Sequence, residues 1–214
     1  MKYLIKQLLI LVIGLVILFY LMCLASLLTD WNEEAYAGAL DRCEQYVHME
    51  RTQHWKYFGL TFPYHYGVGQ IRQESACRAD AVAFDGGMGL MQVMPKTQGY
   101  IENYIGQFDP YNPNQAIRAQ AWYMYTLHKS NFEKDKALWV TYMFYNSGQG
   151  TVTKEYKRAG QACFCHMREV CKRKVITLKS GQLLDLCTVG YEYPVKVYNY
   201  GLKYKILPDG MGYW

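Results

Sequence analysis

The sequence contains no internal repeat, no low-complexity tract and no linker rich in serine and glycine. One compact domain is therefore expected, rather than a repeat array or a set of tethered modules. A basic stripe and known nucleic-acid-binding motifs are also missing, so nucleic acid is not expected as a partner. The formal net charge of +5 suits an anionic polymer or a membrane surface without identifying either.

The cysteines do not follow a recognisable zinc-ligand spacing. The nearest approach is Cys163-Phe164-Cys165-His166 followed by Cys171, which differs from the spacings of structural zinc sites. Neither a metal ion nor another cofactor is expected. Disulfide bonds are the preferred interpretation, because six of the seven cysteines lie in the part of the chain predicted below to be exported.

Charge is absent from residues 7–28, a run rich in Leu, Ile and Val. As a helix this run would span about 33 Å, enough to cross a bilayer core of roughly 30 Å. A cleaved signal peptide is the alternative, but its apolar core is usually only about 7–15 residues long. Lys2 and Lys6 precede the run, so the sequence predicts a cytoplasmic tail at 1–6 and a single-pass anchor in a bacterial inner membrane. The remaining chain would then lie in the periplasm.

Beyond the anchor the apolar spacing is mainly helical. Ile117, Ala121 and Met124 share one face of a helix that follows the turn-forming pair Asn112-Pro113. Residues 135–145 form a second apolar segment, which ends at Asn146-Ser147-Gly148. The region around Glu74 is predicted to be helical up to the turn at Asp85-Gly86-Gly87.

One segment, residues 174–189, has the pattern of a β-hairpin with a turn near Ser180-Gly181. Cys171 and Cys187 flank this hairpin almost symmetrically. Facing positions on paired strands bring Cβ atoms close enough for a disulfide after a small adjustment. Cys171 and Cys187 are therefore the predicted pair, whereas Cys77 could either pair or pack beside Glu74.

Glu74 is the one candidate catalytic acid in residues 71–97, where it precedes a glycine-rich run. Glycines at 86, 87 and 89 let the backbone approach a ligand closely. Gln92 offers both a donor and an acceptor to sugar hydroxyls or amides. Tyr145 and Asn146 stand at the end of the later helix, where their polar groups can face a cleft. Each signal is weak alone, but together they indicate a binding cleft with one acid.

These segments resemble the catalytic domain of the family 1 lytic transglycosylases, the soluble-lytic-transglycosylase-like group. The similarity extends over residues 64–200. It rests on Glu74-Ser75, Ala81-Val82, Gly89-Leu90-Met91-Gln92, Pro95-Lys96-Thr97, Ile117–Met124, Tyr145-Asn146-Ser147-Gly148 and Tyr193–Val197. The chain departs from the family pattern at Gln120, where glycine is usual, at Ala83 and at Pro194.

The resemblance implies a mainly α, goose-lysozyme-like domain with a small β-hairpin insertion, preceded by one transmembrane helix. In this interpretation a helical region covers 29–63 and the catalytic domain covers 64–200. A Cys-rich insertion occupies 152–190, and a C-terminal tail occupies 201–214.

The resemblance also implies the reaction. Glu74 would protonate the oxygen between N-acetylmuramic acid and N-acetylglucosamine in peptidoglycan glycan strands. It would then accept a proton from the muramoyl C6 hydroxyl, which closes onto C1 to give a 1,6-anhydro product. An apolar wall containing Met91 and Tyr145 would raise the pKa of Glu74, while Tyr145 and Ser75 would orient its carboxyl group. The predicted substrate-binding residues are Ser75, Met91, Gln92, Tyr145, Asn146 and Tyr193.

Two alternatives stay open. A hydrolytic muramidase needs a second carboxylate, which Asp80 or Asp85 would supply. A non-catalytic, membrane-tethered module would bind or help assemble the wall without cleaving it. The biological role is equally open, among wall turnover, opening the wall for envelope-spanning machinery, and phage lysis or entry.

Overall fold

The computed structural model describes residues 42–132, 136–177 and 181–205. The predicted tail at 1–6, the anchor at 7–28 and most of the tail at 201–214 lie outside these ranges. None of the helices within them combines the length and apolarity that membrane crossing requires.

The described ranges hold eight α-helices, one two-stranded sheet and a short 3-10 turn at Glu44–Tyr46. The predicted mainly helical class with a small β-hairpin is thus confirmed for these residues. In chain order the elements are α1 (Val47–Phe58), α2 (His65–Ser75), α3 (Pro95–Ile105), α4 (Pro113–Lys129), α5 (Leu138–Ser147), α6 (Gln149–Ala159), α7 (Phe164–Glu169), β1 (Val175–Thr177), β2 (Leu183–Asp185) and α8 (Leu186–Leu202).

Helix α2 lies at the centre of the fold, and it packs closely against α8. Val68 and Ile71 of α2 are fully buried. A Cβ atom on Gly69 would lie 2.7 Å from the backbone nitrogen of Gly201 and would also contact the carbonyl oxygen of Val197. Only glycine permits this approach of two helix backbones. The contact fixes α8 beside the C-terminal half of α2.

Helix α2 ends earlier than the sequence predicts, at Ser75. Ala76 and Cys77 follow in the left-handed region, with φ values of 51° and 59°. Two such residues in succession stop a right-handed helix and reverse the chain. The reversal is held by a disulfide between Cys77 and Cys43, whose Cα atoms are 5.2 Å apart.

The predicted hairpin and its disulfide are both present, although the hairpin is shorter than expected. β1 and β2 pair antiparallel, with Val175 opposite Asp185. Residues from Leu186 onward begin α8, because the Asp185 carboxylate accepts a hydrogen bond from the backbone nitrogen of Cys187 at 2.9 Å. The Cys171–Cys187 bond therefore joins the segment before β1 to the first turn of α8, with a Cα separation of 6.0 Å.

The remaining described cysteines, Cys163 and Cys165, are free thiols. The expected disulfides are thus present as two pairs, Cys43–Cys77 and Cys171–Cys187. Within the described ranges, no group of His, Cys, Asp or Glu side chains could hold a metal ion.

Candidate active site

Glu74 lies in the last turn of α2, and its carboxyl group is held by a tyrosine from α8. The Tyr193 hydroxyl donates a short hydrogen bond to Glu74 Oε1. Tyr193 is only 4 % exposed, so it stands behind Glu74 rather than in the cleft. Tyr193 is thus a positioning residue for Glu74.

The surroundings of Glu74 favour its protonated form. Burial raises its pKa to about 7, and the negative charge of Asp85 adds to the rise, whereas the hydrogen bond from Tyr193 lowers it. Desolvation, which disfavours the charged carboxylate, has the larger effect on this pKa. Near neutral pH a large fraction of Glu74 therefore carries a proton that it can donate.

Two buried glutamines continue the hydrogen-bond chain behind Tyr193. Burial raises the pKa of Tyr193 well above its ordinary value, and the charge of Glu74 adds to the rise, whereas a hydrogen bond from the Gln70 side chain to the Tyr193 hydroxyl opposes it. Gln120 Nε2 donates to Gln70 Oε1 at 2.9 Å and to the Gly67 carbonyl at 3.2 Å. Gln120 stands where the family pattern has glycine, and its amide supports Gln70 from α4.

Ser75 and Tyr145 brace the loop that follows α2, and neither bonds to Glu74. Ser75 Oγ shares its proton between the carbonyl oxygens of Ile71 and Leu90, both at 3.0 Å. The Tyr145 hydroxyl donates a short hydrogen bond to the Met91 carbonyl. The orienting role expected of Tyr145 and Ser75 thus belongs to Tyr193 in this structure, whereas Ser75 and Tyr145 fix the loop.

Met91 and Gln92 occupy different positions in that loop. The Met91 side chain is fully buried and packs in the core with Val93 and Ile101. Contrary to the expectation, it therefore does not face the cleft. Gln92 has a φ of 48°, and its Nε2 donates to the Gly89 carbonyl at 2.8 Å and to the Ala81 carbonyl at 3.3 Å. Gln92 therefore also holds the loop together from within.

Two adjoining cavities meet at Glu74 and form the cleft. One, of about 350 Å³, includes Arg72 and Arg78, and the other, of about 320 Å³, includes Tyr145 and Asn146. Gln92 lines both. Of the six predicted substrate-binding residues, the cavity walls contain Ser75, Gln92, Tyr145 and Asn146. Their contact with substrate stays a prediction.

Asp85 and Asp80, the candidate second carboxylates, differ in position. Asp85 lines the same cavity as Glu74 and Tyr145, and its charge raises the pKa of Glu74. Asp80 lines neither cavity. It lies instead near Tyr46, whose pKa is raised by burial, lowered by the charge of Arg42 and raised by the charge of Asp80. A hydrolytic use of this cleft would therefore rely on Asp85.

An aromatic strip leads away from Tyr145. The ring of Tyr123 lies 5.8 Å from that of Tyr145, and the ring of Tyr100 lies 6.3 Å from Tyr123. Tyr104 stacks on Trp122 at 5.3 Å and is 66 % exposed. Rings with one apolar face and a polar tip suit a wet binding surface. The chain has 21 tyrosines, but their number alone does not locate such a surface.

The segment that contains most of these residues matches a known protein family. Residues 68–165 match the Transglycosylase SLT domain. The predicted resemblance is thus confirmed over slightly less than half of the chain. The SLT match ends inside the predicted Cys-rich insertion and does not reach Tyr193, although Tyr193 completes the site in space. No curated protein matches the sequence.

Solved structures share the fold. The 70-kDa soluble lytic transglycosylase Slt70 from Escherichia coli superposes with a TM-score of 0.55 at 20 % identity. A complex of the 70-kDa soluble lytic transglycosylase with bulgecin A gives 0.55 at 21 %. An inactive mutant of the lytic transglycosylase Slt from Pseudomonas aeruginosa gives 0.55 at 23 %. In each case the match covers 72 % of this chain and 23 % of the other, so it shows the lysozyme-like SLT fold alone.

Proposed function

We propose that this chain is a peptidoglycan lytic transglycosylase that cleaves the bond between N-acetylmuramic acid and N-acetylglucosamine. The observation that carries the proposal is the carboxyl group of Glu74 in the cleft, whose pKa burial raises to about 7. The SLT match and the names of the structural neighbours, all lytic transglycosylases, support the same class.

One carboxyl group suffices because the attacking hydroxyl belongs to the substrate. Protonated Glu74 gives its proton to the glycosidic oxygen, and the bond to muramoyl C1 breaks. The substrate's N-acetyl group stabilises the positive charge that develops on C1. The Glu74 carboxylate then takes a proton from the muramoyl C6 hydroxyl as that oxygen bonds to C1. A pKa near the working pH lets one group act first as acid and then as base.

Product analysis tests the proposal. Mass spectrometry of muropeptides released from purified wall should find 1,6-anhydromuramic acid ends. Reducing muramic acid ends in their place would move the protein to the hydrolytic muramidases.

The muramidase remains the second candidate because Asp85 shares a cavity with Glu74. For a transglycosylase we expect Asp85→Asn to keep activity within about threefold, since no water has to be activated. Activity should decline above neutral pH as Glu74 loses its proton. Because the Asp85 charge raises the pKa of Glu74, this decline should occur at a lower pH in Asp85→Asn. Initial rates of muropeptide release between pH 5 and 9 provide the measurement.

Asp80→Asn is the matched control, because Asp80 is exposed and lines neither cavity. A loss of a hundredfold or more in Asp85→Asn, with Asp80→Asn unaffected, would be the result of removing a general base. That outcome would contradict the transglycosylase mechanism.

We also propose a single-pass location in the inner membrane, with residues 7–28 as anchor and the SLT domain in the periplasm. The uncharged run preceded by Lys2 and Lys6 supports this topology. Protease added to intact spheroplasts should digest the domain, whereas a cytoplasmic marker protein should survive. Complete protection of the domain would contradict the proposed orientation.

A further inference from the structure

A further cavity, with a volume of about 590 Å³, lies next to the cleft that contains Glu74. Its walls come from the end of α5, from α6, from the segment before β1 and from the first turns of α8. Much of that wall, from Lys172 to Gly190, follows the residues that match the SLT domain. The cavity is therefore partly built by residues that lie beyond the SLT match.

A buried ion pair forms the floor of this cavity. Arg173 Nε donates to Glu155 Oε1 at 2.7 Å, and Nη2 donates to Oε2 at 2.9 Å. Arg173 Nη1 also donates to Ser147 Oγ at 2.7 Å, and the Tyr191 hydroxyl donates to Glu155 Oε2 at 2.9 Å. Arg173 and Glu155 thus neutralise each other, and their bidentate geometry makes the floor rigid.

The remaining charges of the cavity are all positive. Lys154, Lys172 and Lys174 are exposed, and none of them forms an ion pair within the described part of the chain. Arg158 adds a fourth cation, and its Nε donates to the Val170 carbonyl at 3.1 Å. Glu155 is the one acidic residue in the described lining, and its charge is already neutralised by the ion pair with Arg173. The cavity mouth therefore attracts an anionic ligand.

Asn146 lines both this cavity and the cleft, so the two lie side by side. We propose that it binds the carboxylate groups of the short peptide that peptidoglycan carries on its muramoyl residues, an inference that rests on the proposed function. A peptide branching from a sugar bound beside Asn146 would lie next to this cavity. Lys154, Lys172 and Lys174 then pair with its carboxylates.

Direct binding of the peptide tests the site without any turnover. The probe is the tetrapeptide Ala-Glu-diaminopimelate-Ala, titrated into the full-length protein in detergent and followed by calorimetry. Replacing the three lysines together, as Lys154→Gln, Lys172→Gln and Lys174→Gln, should weaken binding about tenfold, because each exposed pair contributes modestly. Wild-type binding should also weaken as salt is raised.

A matched triple variant controls for the loss of charge. Lys56, Lys129 and Lys157 are exposed and lie outside the cavity, and Lys157 is on the same helix as Lys154. Their joint replacement by Gln should leave the affinity within twofold. Equal weakening in both variants, equal binding of the tetrapeptide with its carboxylates amidated, or displacement of the peptide by inorganic phosphate at similar concentration would each overturn the proposal.

The two proposals fail differently. Lysine-dependent peptide binding by a protein that releases no anhydromuropeptides would leave the cavity assignment standing and defeat the transglycosylase. Release of anhydromuropeptides without lysine-dependent peptide binding would support the transglycosylase and contradict the cavity assignment.

Discussion

Glu74→Gln is expected to lower the rate of wall cleavage by at least about a hundredfold, because Gln keeps the shape of the side chain but cannot donate or accept the proton. Muropeptide release measures the rate, and circular dichroism checks that the fold is retained. The Tyr193 hydroxyl can still donate to the amide oxygen of the substituted side chain, so the contact between α2 and α8 should survive. Turnover within tenfold of wild type, a barrier change of about 1.4 kcal/mol, would remove Glu74 from the central role.

The same variant separates an enzyme from a wall-binding module. Retained binding of Glu74→Gln to purified wall, combined with lost cleavage, is expected of an enzyme with an intact groove. If the wild type binds wall and never cleaves it, the non-catalytic module becomes the better description.

Glu74→Gln should also stabilise the fold, and the gain should depend on pH. Below about pH 4 the carboxyl group is protonated in both the folded and the unfolded chain, so its pKa shift has no effect. As pH rises, the unfolded chain loses the proton near pH 4.3, whereas folded Glu74 keeps it until its pKa of about 7. Wild-type stability therefore falls between these values, by about 3–4 kcal/mol in total.

Gln has no proton to lose, so the variant should match wild type near pH 4 and exceed it by that amount at pH 8. Urea unfolding of both proteins at several pH values gives the difference, in which other titrating groups cancel. A difference that stays constant with pH would contradict the raised pKa of Glu74.

The features that the sequence predicts are mostly local. Asn112-Pro113 marks the start of α4 because an Asn cap and a Pro in the first turn act within a few residues, and the Asn112 side chain does accept from the Gln115 nitrogen. The hairpin and the Cys171–Cys187 pair depend on similarly short separations. The lone acid at Glu74 could be singled out because its neighbours match a family pattern.

The features that the sequence does not predict depend on contacts between distant elements. Tyr193 and Glu74 are 119 positions apart, and nothing local shows that their side chains meet. The family pattern predicts that Tyr193 contacts substrate, whereas its ring is buried behind the acid. The sequence alone shows only that Gln120 replaces the glycine that is usual in the family pattern. Its amide supports Gln70 from α4, which only the packing of α2 against α4 reveals.

Gly69→Ala should damage stability and activity together, because it acts on the contact that brings Tyr193 to Glu74. The added Cβ would meet the backbone of α8 at Val197 and Gly201, and backbone atoms cannot rotate away as a side chain can. Overpacking of this kind usually costs about 1–3 kcal/mol, and the backbone contact places Gly69→Ala at the upper end. Urea unfolding at pH 7 measures the loss.

Gly99→Ala is the matched control. Gly99 lies inside α3, and a Cβ there would meet nothing within 4 Å. Because alanine is the better helix former, this variant should gain about 0.5–1 kcal/mol and keep full activity. The Gly69→Ala protein that remains folded should cleave wall more slowly, since separating α2 from α8 lengthens the hydrogen bond that orients Glu74. A Gly69→Ala variant as stable and as active as Gly99→Ala would show that the close approach of these helices does not position the catalytic acid.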